Sequence, residues 1–459
     1  MSKAPDRPSS DPNARAVALH RRYRGKIATA AKVPMADFAD LAVWYTPGVA
    51  AASRAIAADR TEAFALTNRA NSVAVVFDGS RVLGLGNIGP EAALPVMEGK
   101  ALLFKHFGGV DAVPLCLGVA GSERIVETVM ALAPSFGAVN LEDIATPKCF
   151  RVLDALREKL SIPVWHDDQQ GTATAVLAGL LSALDVVGKR LDGIRIALVG
   201  IGAANMAVYR LLKSEGVDPA TVLACDSRGL LHRNRENLKA QQDTLIEKWQ
   251  VCRETNTGCR DGGIAEALAG ADVCLAFSTP GPDTIPPAAV RGIAPDAIVF
   301  ACANPVPEIW PQAARAAGAR IVATGRSDFA NQVNNALVFP GLFRGVLDVR
   351  ARRISAGMAR AAARALSDAA RSHGLSETAI LPRCDDITLA AGIAAAVGAA
   401  AQEEGLAQLQ VPRQALYDGA LARIDAARRE NRAFMEAGLI AAMTGQPRGP
   451  DPGSAVSIL

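Results

Sequence analysis

The chain has 459 residues, 50% of them hydrophobic, 21% charged and 5% aromatic, with a formal net charge of +3. Such a composition fits a globular protein of two or three domains and excludes a disordered chain. The small charge and the lack of like-charge blocks argue against a nucleic-acid partner. Eight single cysteines with no Cys-x-x-Cys pair read as reduced thiols in a cytoplasmic protein. The polar N-terminus lacks a secretory core, and no uninterrupted apolar run is long enough for a bilayer, so no membrane partner is expected.

Residues 1–15 read as a disordered leader, and 16–40 as a helix followed by an extended piece. In LAVWYTPGVA (41–50), Tyr45 precedes Thr46, Pro47 and Gly48, which stop regular structure and can hold its ring on a fixed loop. A tyrosine so held can donate a proton if its pKa is lowered; an anchor ring at a helix start is the simpler reading. SVAVVFDGS (72–80) is a strand, and the glycine-rich run after it leaves the backbone bare near Asn87. PEAALPVMEGKALLFKHF (90–107) is helical. Within it Lys100 stands among Met97, Ala101, Leu102 and Phe104, where a lysine can act as a general base. Lys105 is free to snorkel to solvent. A strand (112–119) and an amphipathic helix (122–136) follow.

The stretch from Asn140 to Thr174 concentrates the chemistry. Glu142 and Asp143 end one short apolar run, and Asp167 and Asp168 end another 24 residues later. The helical pattern between them, Cys149 to Leu160, makes a strand–helix–strand unit. Such a unit brings both acid pairs to one edge of a parallel sheet. Four carboxylates there call for a hard divalent cation, unless they merely start helices.

Beyond an apolar helix (171–191), the strand IRIALVG leads into the turn Gly200, Gly202, Ala203, Ala204, Asn205, and a helix follows. With Asp226 ending the next strand, this is a dinucleotide-binding arrangement. Asn205 replaces the third glycine, which predicts a looser helix–strand contact without loss of binding. Asp226 favours NAD through the ribose, whereas Arg228, Arg233 and Arg235 suit the 2′-phosphate of NADP; the choice stays open. Strands at 273–277, 297–301 and 320–324 complete a doubly wound sheet. The loops after the last two carry Asn304, Asn334 and Asn335, which suit a substrate carboxylate or simply a turn. Residues 350–441 read as Ala- and Arg-rich helix broken near Leu381-Pro382-Arg383.

The motifs YTPGVA, DGSRVLGLGNIGPEAALPVMEGKALLFK, NLEDIATPKCF, HDDQQGT, ANPVPEI and GRSDFANQVNNALVFPGLFRG resemble those of the malic enzymes of the bacterial type. The similarity runs in order over residues 20–350 and on toward 410. The phosphotransacetylase-like domain that some members add is not expected. The resemblance implies an α/β protein with a substrate domain (16–160) and a Rossmann-like NAD(P)-binding domain (161–390); the Ala- and Arg-rich pattern adds C-terminal helices (391–447), and the Gly- and Pro-rich end reads as a flexible tail (448–459). It implies oxidation of L-malate by NAD or NADP and decarboxylation to pyruvate. Glu142, Asp143 and Asp168 match ligands of Mg or Mn, Lys100 the general base, Asp167 its carboxylate partner and Tyr45 the acid. Asn304, Asn334 and Asn335 match positions that hold the substrate carboxylate, and Arg81 aligns with a malate-binding arginine of the larger enzymes. A homodimer or dimer of dimers is expected, with Tyr45 acting within its subunit or across an interface. As a base Lys100 must lose its proton near neutrality through desolvation and metal charge, with Asp167 opposing. Two alternatives stand: a malolactic-type enzyme releasing lactate, and a catalytically silent nucleotide-binding regulator.

Overall fold

The computed structural model describes residues 12–82 and 84–443. The N-terminal part of the expected leader and the whole expected tail lie outside them. Helix α1 (Pro12–Tyr23) starts earlier than predicted, so residues 12–15 are helical. Neither α1 nor α2 (Val49–Ala58) has a buried residue.

The first sheet grows from β1 (Ser72–Phe77), whose six residues are all buried. Burial on both faces is what a run such as SVAVVF requires, and a parallel sheet covered by helices supplies it. Helix α3 (Pro90–Gly108) leads to β2 (Asp111–Cys116), and α4 (Ser122–Leu132) to β3 (Ala138–Glu142). Helix α5 (Lys148–Lys159) crosses to β4 (Val164–His166). The order is β2-β1-β3-β4, and every pairing is parallel. Because Phe77 pairs with Glu142 and Leu141 with His166, β1, β3 and β4 end side by side. The two acid pairs leave the sheet at that edge, as the sequence predicts.

A π-turn over Asp167–Gly171 then leads into α6 (Thr172–Val187). The second sheet contains β5 (Ile196–Val199), then α7 (Ala203–Ser214), β6 (Val222–Asp226) and the short β7 (Gly229–Leu230). Helix α8 (Ile246–Glu254), β8 (Val273–Ala276), β9 (Ala297–Ala301) and β10 (Ala319–Thr324) follow. The order is β10-β9-β8-β5-β6-β7, with β7 alone antiparallel. The chain turns back between β5 and β8, the switch point where open α/β sheets bind ligands.

Four helices close the described chain: α9 (Phe339–Asp348), α10 (Ala356–Ser372), α11 (Ile387–Glu403) and α12 (Arg413–Glu436). The break between α10 and α11 contains the predicted Leu381-Pro382-Arg383. Phe104 of α3 packs against Phe339 and Phe343 of α9, with ring centroids 4.5 and 5.1 Å apart. One apolar cluster joins both sheets and runs through α6. The stretch Asp167–Val187 is in fact long and apolar enough to cross a membrane, with a hydropathy of 1.4, which corrects the sequence expectation. It is a core helix: Val176, Leu177 and Leu180 are at most 1% exposed, and each such side chain stabilises the fold by about 1.5–3 kcal/mol.

Candidate active site

The acid pairs are aimed by the two turns that end β3 and β4. Asp143 takes φ 50°, a left-handed conformation that Asp tolerates better than most residues. Its N–H donates to Asp168 Oδ2 at 2.9 Å, and its carbonyl accepts from the Arg81 N–H at 3.0 Å. The π-turn, a local geometry common at functional sites, presents Asp167 and Asp168 in succession. Gly171 closes it: a Cβ there would lie 1.9 Å from Asp167 Oδ1 and 3.2 Å from the Cβ of Asn335. Only glycine fits, and Asn335 is thereby placed beside the acids.

Lys100 reaches the same point from the middle of α3. Its Nζ donates to Glu142 Oε1 at 2.5 Å and to Asp167 Oδ2, and lies 4.6 Å from the centre of the Phe339 ring. Two donors that the sequence reading missed set these carboxylates. Asn140 Nδ2 donates to Glu142 Oε1 at 2.6 Å, and Trp165 Nε1 to Asp167 Oδ1 at 3.1 Å. Both lie two residues before the acid they serve, and Asn140 shares a face of β3 with Glu142, so for that pair the alternation was the available signal.

Burial opposes the charge of Lys100, but Asp167, Glu142 and Asp168 outweigh it and hold the ammonium above its ordinary value. The expected low pKa is therefore not a property of the protein groups alone. Burial pushes Glu142 well above the usual carboxylate range; Lys100 counters this, and Asp167, Asp168 and Asp143 add to it. Burial and then Asp168 push Asp143 to about 8. Asp143 Oδ2 is buried with no hydrogen-bond partner. Buried, mutually repelling oxygens of this kind are what a hard divalent cation satisfies, so the donor set fits the expected metal. Among the described residues no three such side chains are already gathered at metal-holding geometry. Lys100 and Asn140 occupy Glu142, and the Asp143 N–H occupies Asp168. His166, fully buried with both ring nitrogens unpartnered, sits 3.9 Å from Asp168; burial lowers its pKa.

The nucleotide turn lies at the switch point. Gly200 has φ 81°, and a Cβ on it would meet Phe277 O at 2.7 Å. Gly202 caps α7, and Ala203 and Ala204 open it, leaving free N–H groups for a pyrophosphate. Asn205 does not loosen this contact. It is fully buried, and its Nδ2 donates to Val199 O (3.1 Å), Gly200 O (2.7 Å) and Leu275 O (3.0 Å), tying the turn to β8. An amide supplies the donor that glycine lacks. Asp226 is not free either: Lys248 Nζ donates to Oδ2 at 2.5 Å, and Oδ1 accepts from the Arg228 N–H at 2.9 Å and from Arg235 at 3.4 Å. Arg228 and Arg233 are exposed.

Asn304 lies in a loop shaped by the fully buried Glu308, which accepts from the Ser278 and Ala303 N–H groups at 2.7 and 2.9 Å. That loop touches the glycine-rich segment after β1: a Cβ on Gly84 would lie 3.0 Å from Asn304 O. Asn334 caps the short helix that carries Asn335, accepting from the Ala336 N–H at 2.9 Å. Arg81 is exposed and joins the group through its backbone. Tyr45 is apart from the group, 68% exposed, in a segment whose side-chain hydrogen bonds, such as Trp44 Nε1 to Pro34 O at 3.1 Å, close within itself.

A buried lysine–carboxylate centre facing a dinucleotide turn defines a nicotinamide-dependent oxidoreductase. Residues 169–402 match the family described as malic enzyme, NAD binding domain, and residues 24–124 the malic enzyme N-terminal domain. The chain is 46% identical to the bifunctional malic/malolactic enzyme of Bacillus subtilis over 396 residues, covering 86% of this chain and 94% of that protein. It is 40% identical to the NADP-dependent malic enzyme of Halomonas elongata, covering 84% and 93%. The crystal structure of Entamoeba histolytica malic enzyme superposes with a TM-score of 0.90 at 42% identity, covering 93% and 89%. The chain belongs to the malic enzyme family.

Proposed function

We propose that the chain converts L-malate to pyruvate and carbon dioxide while reducing NAD(P), with the residues of the described site in distinct roles. The observation that carries this is the contact of Lys100 with Asp167 and Glu142 at the strand edge that faces the nucleotide turn. Lys100 accepts the malate hydroxyl proton as the C2 hydride departs, and Asp167 orients it and shares that proton. Asn304 and Asn335 bind the substrate carboxylate, with Asn334 fixing the Asn335 turn, and Arg81 assists from the exposed rim. Loss of carbon dioxide leaves an enolate, and Tyr45 returns a proton to its C3 carbon. Glu142, Asp143 and Asp168 would hold Mg or Mn, which when bound supplies Lewis-acid polarisation of the substrate carbonyl and a positive charge that counters the carboxylates around Lys100. NAD(P) supplies the hydride acceptor.

Two finer readings follow. The cations around Asp226 outnumber its single charge, which supports NADP over NAD, because a 2′-phosphate suits Arg228, Arg235 and Lys248 better than a ribose hydroxyl does. The exposed run that includes Met35, Phe38 (86% exposed), Val43 and Trp44 supports a homodimer in which this segment packs on a second copy and Tyr45 serves the partner's site. Product analysis after incubation with L-malate tests the main reading.

A further inference from the structure

A cavity of about 520 Å³ lies where α3, α9 and α12 meet, away from the acid pairs. Its size is that of a small-molecule site, and its lining is unusual in charge. Five cations face it: Lys32, Lys105, Arg344, Arg350 and Arg423. Four of them share three carboxylates. Asp348 takes Arg344 through two contacts (2.7 and 3.0 Å) and Arg423 at 3.0 Å. Asp111 takes Lys105 at 3.0 Å and Lys32 at 2.8 Å, and Glu430 stands 3.5 Å from Lys105. Arg350 has no carboxylate partner among the described residues; its guanidinium stacks 5.1 Å from the centre of the Phe64 ring. Arg344 is only 2% exposed, and its third guanidinium nitrogen, Nη1, donates to Asn71 Oδ1 at 2.5 Å. The cluster therefore holds two positive charges in excess around a half-open cleft, and such charge attracts a small dianion.

The cavity shares its two main helices with the catalytic centre. Lys105 lies five residues beyond Lys100 on α3, and Arg344 five beyond Phe339 on α9, an axial separation of about 7.5 Å. Between the two levels Phe104 packs on both Phe339 and Phe343, and Phe339 underlies the Lys100 ammonium. A ligand that draws Arg423 from Asp348 changes the carboxylate that holds Arg344 on α9, and so bears on that joint.

We propose that this cavity is an effector site for a small dianion, a dicarboxylate or a phosphate, whose occupancy alters turnover at Lys100. Arg350, which has no carboxylate partner among the described residues, and Arg423, which has only a share of Asp348 beside the buried Arg344, would be its principal ligands.

Calorimetric titration of inorganic phosphate, and separately of succinate, into the metal-free full chain tests the binding. The expected result is one saturable event with at least one probe, weakened at least tenfold in the Arg350→Gln/Arg423→Gln double variant, which keeps basal malate turnover. The same probe should shift the malate KM of the wild-type enzyme at least twofold and leave that of the double variant unchanged. Phosphate alone binding assigns a phosphate effector, and succinate alone a dicarboxylate. No saturable event with either probe, or equal binding by the double variant, overturns the site. Binding without a change in KM overturns its coupling to Lys100. Should the double variant not fold, the single variant Lys32→Gln, at a largely exposed cation, must weaken binding by the same logic.

Discussion

Lys100 Nζ stands 2.5 Å from Glu142 Oε1, so the proposed base is in direct contact with a proposed metal ligand. The contact couples two roles. Whatever binds Glu142 changes the charge that Lys100 feels, and the lysine guards the carboxylate until then. Replacing Lys100 by Ala removes the proton acceptor but leaves the nucleotide turn intact. Malate oxidation should fall by about 10²- to 10⁴-fold, while dinucleotide affinity from fluorescence titration stays within about twofold. Retained turnover would show that another group is the base.

The placement of Tyr45 yields a complementation test. If it serves the partner's site, mixed dimers of Tyr45→Phe and Lys100→Ala subunits contain one site with both defects and one with neither. Co-expressed and purified through separate tags, they should recover up to about half of wild-type activity, as two-fold symmetry requires. Mixed dimers as inactive as either parent would place Tyr45 within its own subunit.

Much of this site was legible in the sequence because its elements are local and periodic. Glu142-Asp143 and Asp167-Asp168 each follow a short apolar run, and the helix between them can only join parallel neighbours, so their meeting followed from topology. The family resemblance then assigned the acids separate tasks. What was not legible depends on contacts across the chain. Asn205 looked like a poor substitute for glycine because its three carbonyl partners come from three backbone positions, one of them on β8. Lys248, 22 residues after Asp226 on α8, carries no signal of its own in sequence. The charge state of Lys100 depends on three carboxylates whose distances only the fold supplies. Residues 12–15 were assigned to a leader from their polarity, whereas they form the first turn of α1.

Asn205 gives a prediction opposite in sense to its appearance in the sequence. Changing it to Ala leaves the carbonyls of Val199, Gly200 and Leu275 without its amide, which costs about 1–3 kcal/mol. The melting temperature should fall, and the KM for the dinucleotide should rise with a smaller effect on kcat. An unchanged thermal midpoint and KM would contradict the clamp.

Helix α7, which presents the turn, is tied to α8 by Glu254, which accepts from Tyr209 (2.5 Å) and Lys213 (2.8 Å). Burial raises the Glu254 pKa, but Lys213, Tyr209 and Gln250 outweigh it and hold the carboxylate down to about 2. A depressed carboxylate stabilises the fold above its unfolded value, near 4.3, and that contribution is lost as pH falls toward about 2. Glu254→Gln should therefore cost up to about 1 kcal/mol at neutral pH, since the group is partly exposed. Urea titrations should show the two proteins converging as pH drops through that window. A constant difference at every pH would mean that charge plays no part.

The central claim is tested most directly by incubating the full chain with L-malate and Mn, with NAD or NADP, in the presence and absence of a chelator. Pyruvate, lactate and reduced dinucleotide are measured together. The account predicts pyruvate and reduced dinucleotide in equal amounts, a rate abolished by the chelator and restored by excess Mn, and at least about tenfold higher kcat/KM with NADP, a difference of about 1.4 kcal/mol. A preference for NAD would remove the reading of the cations around Asp226 and leave the reaction standing. Accumulation of lactate without net reduced dinucleotide, or turnover indifferent to the chelator, would contradict the account itself.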